Sequence, residues 1–248
     1  MIHVTQGFPE IGPETGPEFV RPTEFFDFDI DAVRQFAYGA IADSPDTKAK
    51  AIKLFYAVRD SIRYDPYSIS LDPEPYKASN VLQTGRAYCL PKANLLIASA
   101  RAVGIPAGIG LSDVLNHLCT DRLRRMMGGK EKFLHHGYAV LHIDGSWVKA
   151  APAFNIELCD KFDVLPTEFD GEHHALFQSV DALGRDHMDY VTDHGIWSDF
   201  PLDRVAGDFC DYYPPSIYDP VARAAVDAEL EVERQGASNA FEDENPIN

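Results

Sequence analysis

Apolar residues recur at helical spacing in "DTKAKAIKLFYAVRDSIRYDP", where Ala51, Leu54, Phe55, Val58 and Ile62 share one stripe. Ser44 or Asp46 can cap the start of this helix, and Pro66 stops it. An earlier helix is predicted from about Asp31 to Ala42, after a segment "EFVRPTEFFDFD" that reads as a strand broken by Pro22. The stretch "YSISLDPEPYKASNVLQTG" is rich in turn formers and reads as a loop. Leu90 to Val103 is apolar on most sides, which predicts a buried helix, with Pro91 in its first turn and Gly104 at its stop.

Further along, the period changes from helical to alternating. "IPAGIGLSDV" predicts a strand entering a turn, and "HHGYAVLHIDGSWVKAAPAF" predicts a hairpin turning at "DG". Alternation sets His136, Tyr138, Val140 and His142 on one face, and His135, Gly137, Ala139 and Leu141 on the other. Residues 156–217 mix short elements with turns, and "YDPVARAAVDAELEVERQG" predicts a final helix before a polar, acidic tail. No internal repeat or low-complexity linker appears. The expected organisation is an irregular arm at 1–17, one catalytic domain at 18–217, and a helix with its tail at 218–248.

Composition narrows the function classes. The chain has 248 residues and a formal charge of −17, so counterion release onto phosphate is a poor source of binding energy and nucleic acid is not an expected partner. The locally basic run "DRLRRMMGGKEK" reads as a solvated face rather than an anion site. No basic leader with an apolar run opens the chain, and no stretch approaches the ~20 apolar residues that span a bilayer, so a cytoplasmic protein away from membranes is expected. Four cysteines, at 89, 119, 159 and 210, form no CxxC pair and are expected as reduced thiols.

Cys89 stands directly before the apolar helix. A lone cysteine is ordinarily a small hydrophobe. A helix start, however, exposes unpaired N–H groups and a partial positive charge, which favour a thiolate and can hold the oxyanion of a tetrahedral intermediate. A thiol at such a tip is expected to have a depressed pKa. The base it needs is expected at His136, in "HGY", with His135 as competitor on the opposite face.

The ordered set "AIKLFYAVRDSIRYD", "VLQTGRAYCLPKANLLIASARAVGIPAGIG" and "HGYAVLHIDGSWVKAAPAF" resembles the transglutaminase-like superfamily, over about two-fifths of the chain. The stretches "SDVLNHL", "WVKAAPAFN" and "EFDG" are similar to a bacterial branch of it. The resemblance implies an α+β, papain-like fold, with the Cys-bearing helix packed on an antiparallel sheet, and thiol-based acyl chemistry. It also implies an orienting aspartate where this chain has Ala151. Asn155 is the expected replacement, since Cys-His-Asn is a workable set, although it also reads as a turn former at the strand end; Asp113 is a weaker substitute. Gln83 can be an oxyanion donor or a surface residue, and Tyr138 is expected beside His136.

Other signals carry less. "GIGLSD" lacks the third glycine of a dinucleotide loop, and His117 with Cys119, or His173 with His174, lack a second ligand pair at recognisable spacing. No metal or organic cofactor is expected. The expected activity is a cysteine-dependent hydrolase or acyltransferase acting on an amide or peptide bond of a peptide, protein or small amide, through a thioester formed by Cys89 and His136. The alternative is a non-catalytic relative that keeps the cleft to bind peptides or proteins.

Overall fold

The computed structural model describes residues 15–117, 119–177, 188–234, 241 and 244–247. Most of the expected arm (1–14) and part of the expected tail (235–240) lie outside them. The segment before the first helix forms a short 3-10 turn at Pro17–Phe19 and then runs irregularly, with none of the expected strand. The Thr23 hydroxyl accepts the Phe26 N–H at 3.1 Å, a local turn that competes with strand pairing, while Phe25 and Phe26 anchor in the core.

Helix α1 covers Asp31–Ala40 and α2 covers Thr47–Ser61. Asp46 is the cap of α2, its carboxylate accepting the Ala49 N–H at 2.8 Å. The α2 stripe of Ala51, Leu54, Phe55 and Val58 is buried, as its spacing requires. Strand β1 (Arg63–Tyr64) follows. The segment read as a loop contains a helix, α3 (Ala78–Thr84), ended by Gly85 at φ +66°. At seven residues it is too short for its period to stand out among turn formers. Strand β2 (Arg86–Ala87) then pairs in parallel with β1 and delivers the chain to α4, Cys89–Ala102.

Helix α4 is buried along almost its whole length. Its polar side chains are therefore tied down. Lys92 donates to the carbonyls of Arg59 and Ile62 and so closes the C-terminal end of α2. Burial lowers the Lys92 pKa to about 7. Arg101 donates to the carbonyls of Ala107, Arg21 and Ser198, fastening the far end of α4.

Strand β3 (Ala107–Asn116) runs straight through "GIGLSD", where the sequence suggested a turn. A short β4 (Cys119–Thr120) leads into α5, Asp121–Met126. The basic run here is not simply a solvated face. Arg122 is buried, and its guanidinium binds the carboxylates of Asp227 and Glu244. Strands β5 (Lys132–Ile143) and β6 (Ser146–Ala150) form the expected hairpin, and Asp144 and Gly145 both take positive φ, the conformation a two-residue turn of this kind demands. Helix α6 is Ile156–Phe162, β7 is Met188–Trp197, α7 is Leu202–Tyr212 and α8 is Pro220–Arg234. A last strand, β8 (Pro246–Ile247), pairs with β4.

The main sheet is antiparallel in the order β6-β5-β3-β7, so the architecture is α+β. Helix α4 packs on β5. Ala139 and Leu141 join the core shared with α4, whereas Tyr138 and Val140 form a separate small cluster with Ala151, which is the two-faced pattern alternation predicts.

Candidate active site

Cys89 is the first residue of α4, and Tyr88 before it is extended, so the helix begins abruptly at the sulfur-bearing residue. The Lys92 N–H already bonds the Tyr88 carbonyl at 3.2 Å, and Pro91 has no N–H. The N–H groups of Cys89 and Leu90 are left facing the thiol. Together with the backbone of Gly137 from β5, they favour the thiolate form of the sulfur. The helix start and the strand thus meet at the sulfur.

Gly137 makes that meeting possible. A Cβ there would lie 2.5 Å from Leu90 Cδ2 and 3.0 Å from Leu90 Cα, closer than real contacts allow. Only glycine lets β5 touch the tip of α4. His136, one residue earlier, is 5% exposed and lines the same cavity as Cys89. Its ring packs against Phe177 at 4.9 Å and Tyr190 at 6.0 Å between centroids. The cavity is otherwise mostly apolar, walled by Tyr64, Phe154, Met188, Tyr213 and Phe241 with Asn116 as a polar lining residue, and has a volume of about 50 Å³. That is room for a few water molecules rather than a peptide.

Enclosure changes the expected electrostatics. Burial pushes the Cys89 thiol up to about 11, although backbone hydrogen bonds from Gly137, Leu90 and Cys89 pull the other way. The depressed pKa expected from the helix tip is therefore not found: removing the thiolate from water costs more than three N–H groups return. Cys119 and Cys159 are also buried and raised to about 12, while Cys210 is exposed.

Residues 34–152 match the family model described as the transglutaminase-like superfamily. That segment is similar to a transglutaminase-like core. Among solved structures, the chain is similar to a candidate cysteine protease from Cytophaga hutchinsonii, at 15% identity and a TM-score of 0.43, covering 75% of this chain and 58% of the other. A candidate protease from Parabacteroides distasonis is similar at 19% identity and a TM-score of 0.35, over 48% of this chain and 23% of the other. No protein of curated function matches the sequence. No helix among the described residues is long and apolar enough to cross a membrane.

The fold brings Cys89 and His136 to one cavity and leaves the other expected site residues outside it. Asn155 is buried, but its Oδ1 accepts the Tyr64 N–H at 3.0 Å and its Nδ2 donates to Glu157 at 2.7 Å. Both ends of the amide are engaged in joining β1 to the start of α6. Gln83 is exposed on α3 and does not line the cavity. Ala151 packs against Tyr138 and Val140, so the position that resemblance gives to an orienting carboxylate is apolar. Tyr138 lies across Gly110 and beneath Lys149 Nζ, 5.0 Å from its ring; the aromatic neighbours of His136 are Phe177 and Tyr190 instead.

Asp113 is a buried residue of β3 rather than a turn, and it accepts from His194 at 2.7 Å, Lys132 at 3.2 Å and the His135 backbone at 3.2 Å. His135 turns away from the thiol cavity towards Asp208, with 2.6 Å between Nε2 and the carboxylate. The surface histidines set aside in the sequence have ordinary partners: His117 meets Asp189, and His173 meets Asp170. Sequence reasoning missed the aromatic wall of the cavity, because Phe177 and Phe241 are remote from every motif and carry no local signal.

Proposed function

We propose that the protein is a cysteine-dependent hydrolase or acyltransferase that acts on an amide or peptide bond through a thioester. The observation that supports this reading is a thiol on the first residue of α4, where β5 touches the helix start at Gly137, in a cavity shared with the His136 imidazole. The Cys89 thiol transfers its proton to His136 and its sulfur attacks the substrate carbonyl. The N–H groups of Cys89 and Leu90 stabilise the oxyanion. Collapse breaks the C–N bond, and His136 returns the proton to the leaving amine. Water then releases an acid, or a second amine takes the acyl group; hydrolysis is favoured because water is always present. With the thiol raised to about 11, the resting group is neutral, and base assistance belongs to the attack itself rather than to a stored ion pair.

Peptides, proteins and small amides are the proposed substrates, and a narrow apolar cavity favours a slim acyl chain at the sulfur. The neutral thiol and the apolar Ala151 position favour a second reading, a non-catalytic binding module. Incubation with p-nitrophenyl acetate, followed by mass mapping, separates the two. An acyl enzyme predicts acetyl on Cys89, turned over by water, with Cys89→Ser and His136→Ala each slowing p-nitrophenol release at least about tenfold. Acetyl spread over the exposed nucleophiles, with release unchanged in both variants, would remove the enzyme reading.

A further inference from the structure

Three neighbouring strands of the main sheet each bring one polar residue to a second point, outside the thiol cavity. These are Asp113 on β3, His135 on β5 and His194 on β7, and one donor atom of each lies within 4.8 Å of the others. Both outer strands are irregular at this point. Between Ser112 and Val114 the partner strand β5 spends two residues, Leu134 and His135, against Asp113 alone, and His135 sits at φ +53°. Between Gly110 and Ser112, β7 spends His194 and Gly195 against Leu111 alone. A bulge re-aims a side chain at the cost of a broken ladder and a strained backbone. Here two bulges bring a donor atom of each of two imidazoles within 4.8 Å of one carboxylate.

The hydrogen-bond pattern suits a cation. His135 is 1% exposed, its Nε2 faces Asp208, and its Nδ1 is buried with no hydrogen-bond partner among the described residues. A carboxylate on one imidazole nitrogen fixes the proton there and leaves the lone pair on the other, as in metal-bound histidines. The buried Asp113 carboxylate accepts from His194, Lys132 and the His135 backbone N–H. Two cationic side chains now share this charge: Lys132 on Asp113, and Arg204 beside His194 Nδ1 at 3.3 Å and Asp208. Both are long and partly exposed, so they can withdraw into water.

We propose that Asp113, His135 and His194 bind a divalent first-row transition ion of the zinc class, with Asp208 as the positioning carboxylate behind His135. Two imidazoles and one carboxylate are borderline ligands suited to such an ion and not to calcium or magnesium. Donors of a tetrahedral site stand about 3.4 Å apart, so the ligands close inward slightly. The ion replaces the proton shared by His194 and Asp113, which leaves to solvent, and Arg204 moves off Nδ1. It would pin β5 at the residue before His136.

The test uses the full chain, stripped with chelator and titrated with zinc or cobalt(II), with magnesium as control. One equivalent of zinc should be retained and raise the melting temperature, and cobalt should give visible d–d bands without a thiolate charge-transfer band. His194→Ala should abolish retention while keeping a cooperative melt, and the surface variant Asp208→Asn should weaken binding about 10- to 100-fold. Absence of retained zinc, retention unchanged in either variant, or a thiolate band would each overturn the proposal.

Discussion

His135 and His136 are adjacent in the chain and live in opposite environments. His136 faces an apolar, aromatic-walled cavity that also holds Cys89, with Phe177 against its ring. His135 faces carboxylates, with Asp208 on Nε2, its backbone N–H on Asp113 and the His194 ring 4.6 Å away. Burial acts in both places, yet with different results. In the cavity it has no counter-charge to oppose it, and the thiol is driven neutral. In the polar cluster the surrounding donors outweigh it, and Asp113 stays ionised. Desolvation disfavours charge only as far as neighbours fail to repay it.

The sharpest way to break the comparison is at the sulfur. Cys89→Ala should reduce acyl turnover by about 10⁴-fold or more while the melt stays cooperative, because a nucleophile has no substitute within a unit that acts together. Steady-state kinetics and a thermal scan of the same sample decide it. Next in size is the pH response of the thiol. Because its pKa lies near 11, iodoacetamide alkylation of Cys89 should rise about tenfold per pH unit between 7 and 10, read by peptide mapping so that exposed Cys210 is scored apart. A plateau near neutrality would mean that the sulfur is ionised after all.

Gly137→Ala should damage the cavity and spare the polar cluster. The added methyl meets Leu90, so overpacking of about 1–3 kcal/mol is expected in denaturant titration, with slower acylation. Asn155→Ala leaves the Tyr64 N–H without its acceptor and should cost about 1–2 kcal/mol of stability. Turnover that falls by more than this loss explains would give Asn155 a direct hold on catalysis. The smallest expected effect is in acid. Asp113 has a folded pKa below its free value, so its contribution is present above about 3.8 and is lost as pH falls towards 2. His135 is lowered mainly by burial, so the unfolded chain takes its proton first and stability is lost as pH falls through the usual histidine range. Asp113→Asn should flatten the first of these slopes in acid unfolding.

Several elements were legible because their causes are local. The α2 stripe with its Asp46 cap, the all-round apolar α4 with Pro91 in its first turn, and the "DG" hairpin depend on periods and turn conformations that neighbouring residues carry. Cys89 at a helix start and His136 on the β5–β6 hairpin belong to the same class. Helix α3 was missed because seven residues hold too little period, and the strand expected near Pro22 failed because Thr23 offered its N–H partner a nearer bond.

What sequence alone determined is helices α2 and α4, the β5–β6 hairpin and the places of Cys89 and His136 on them, since these follow from short-range pattern. What tertiary structure decided is how much water each group keeps. Phe177 and Phe241 close the thiol cavity from distant parts of the chain, two bulges bring His135 and His194 close to Asp113, and Asn155 is spent on Tyr64. Solvation and counter-charge are sums over everything nearby in space, and a linear pattern does not contain that list of neighbours.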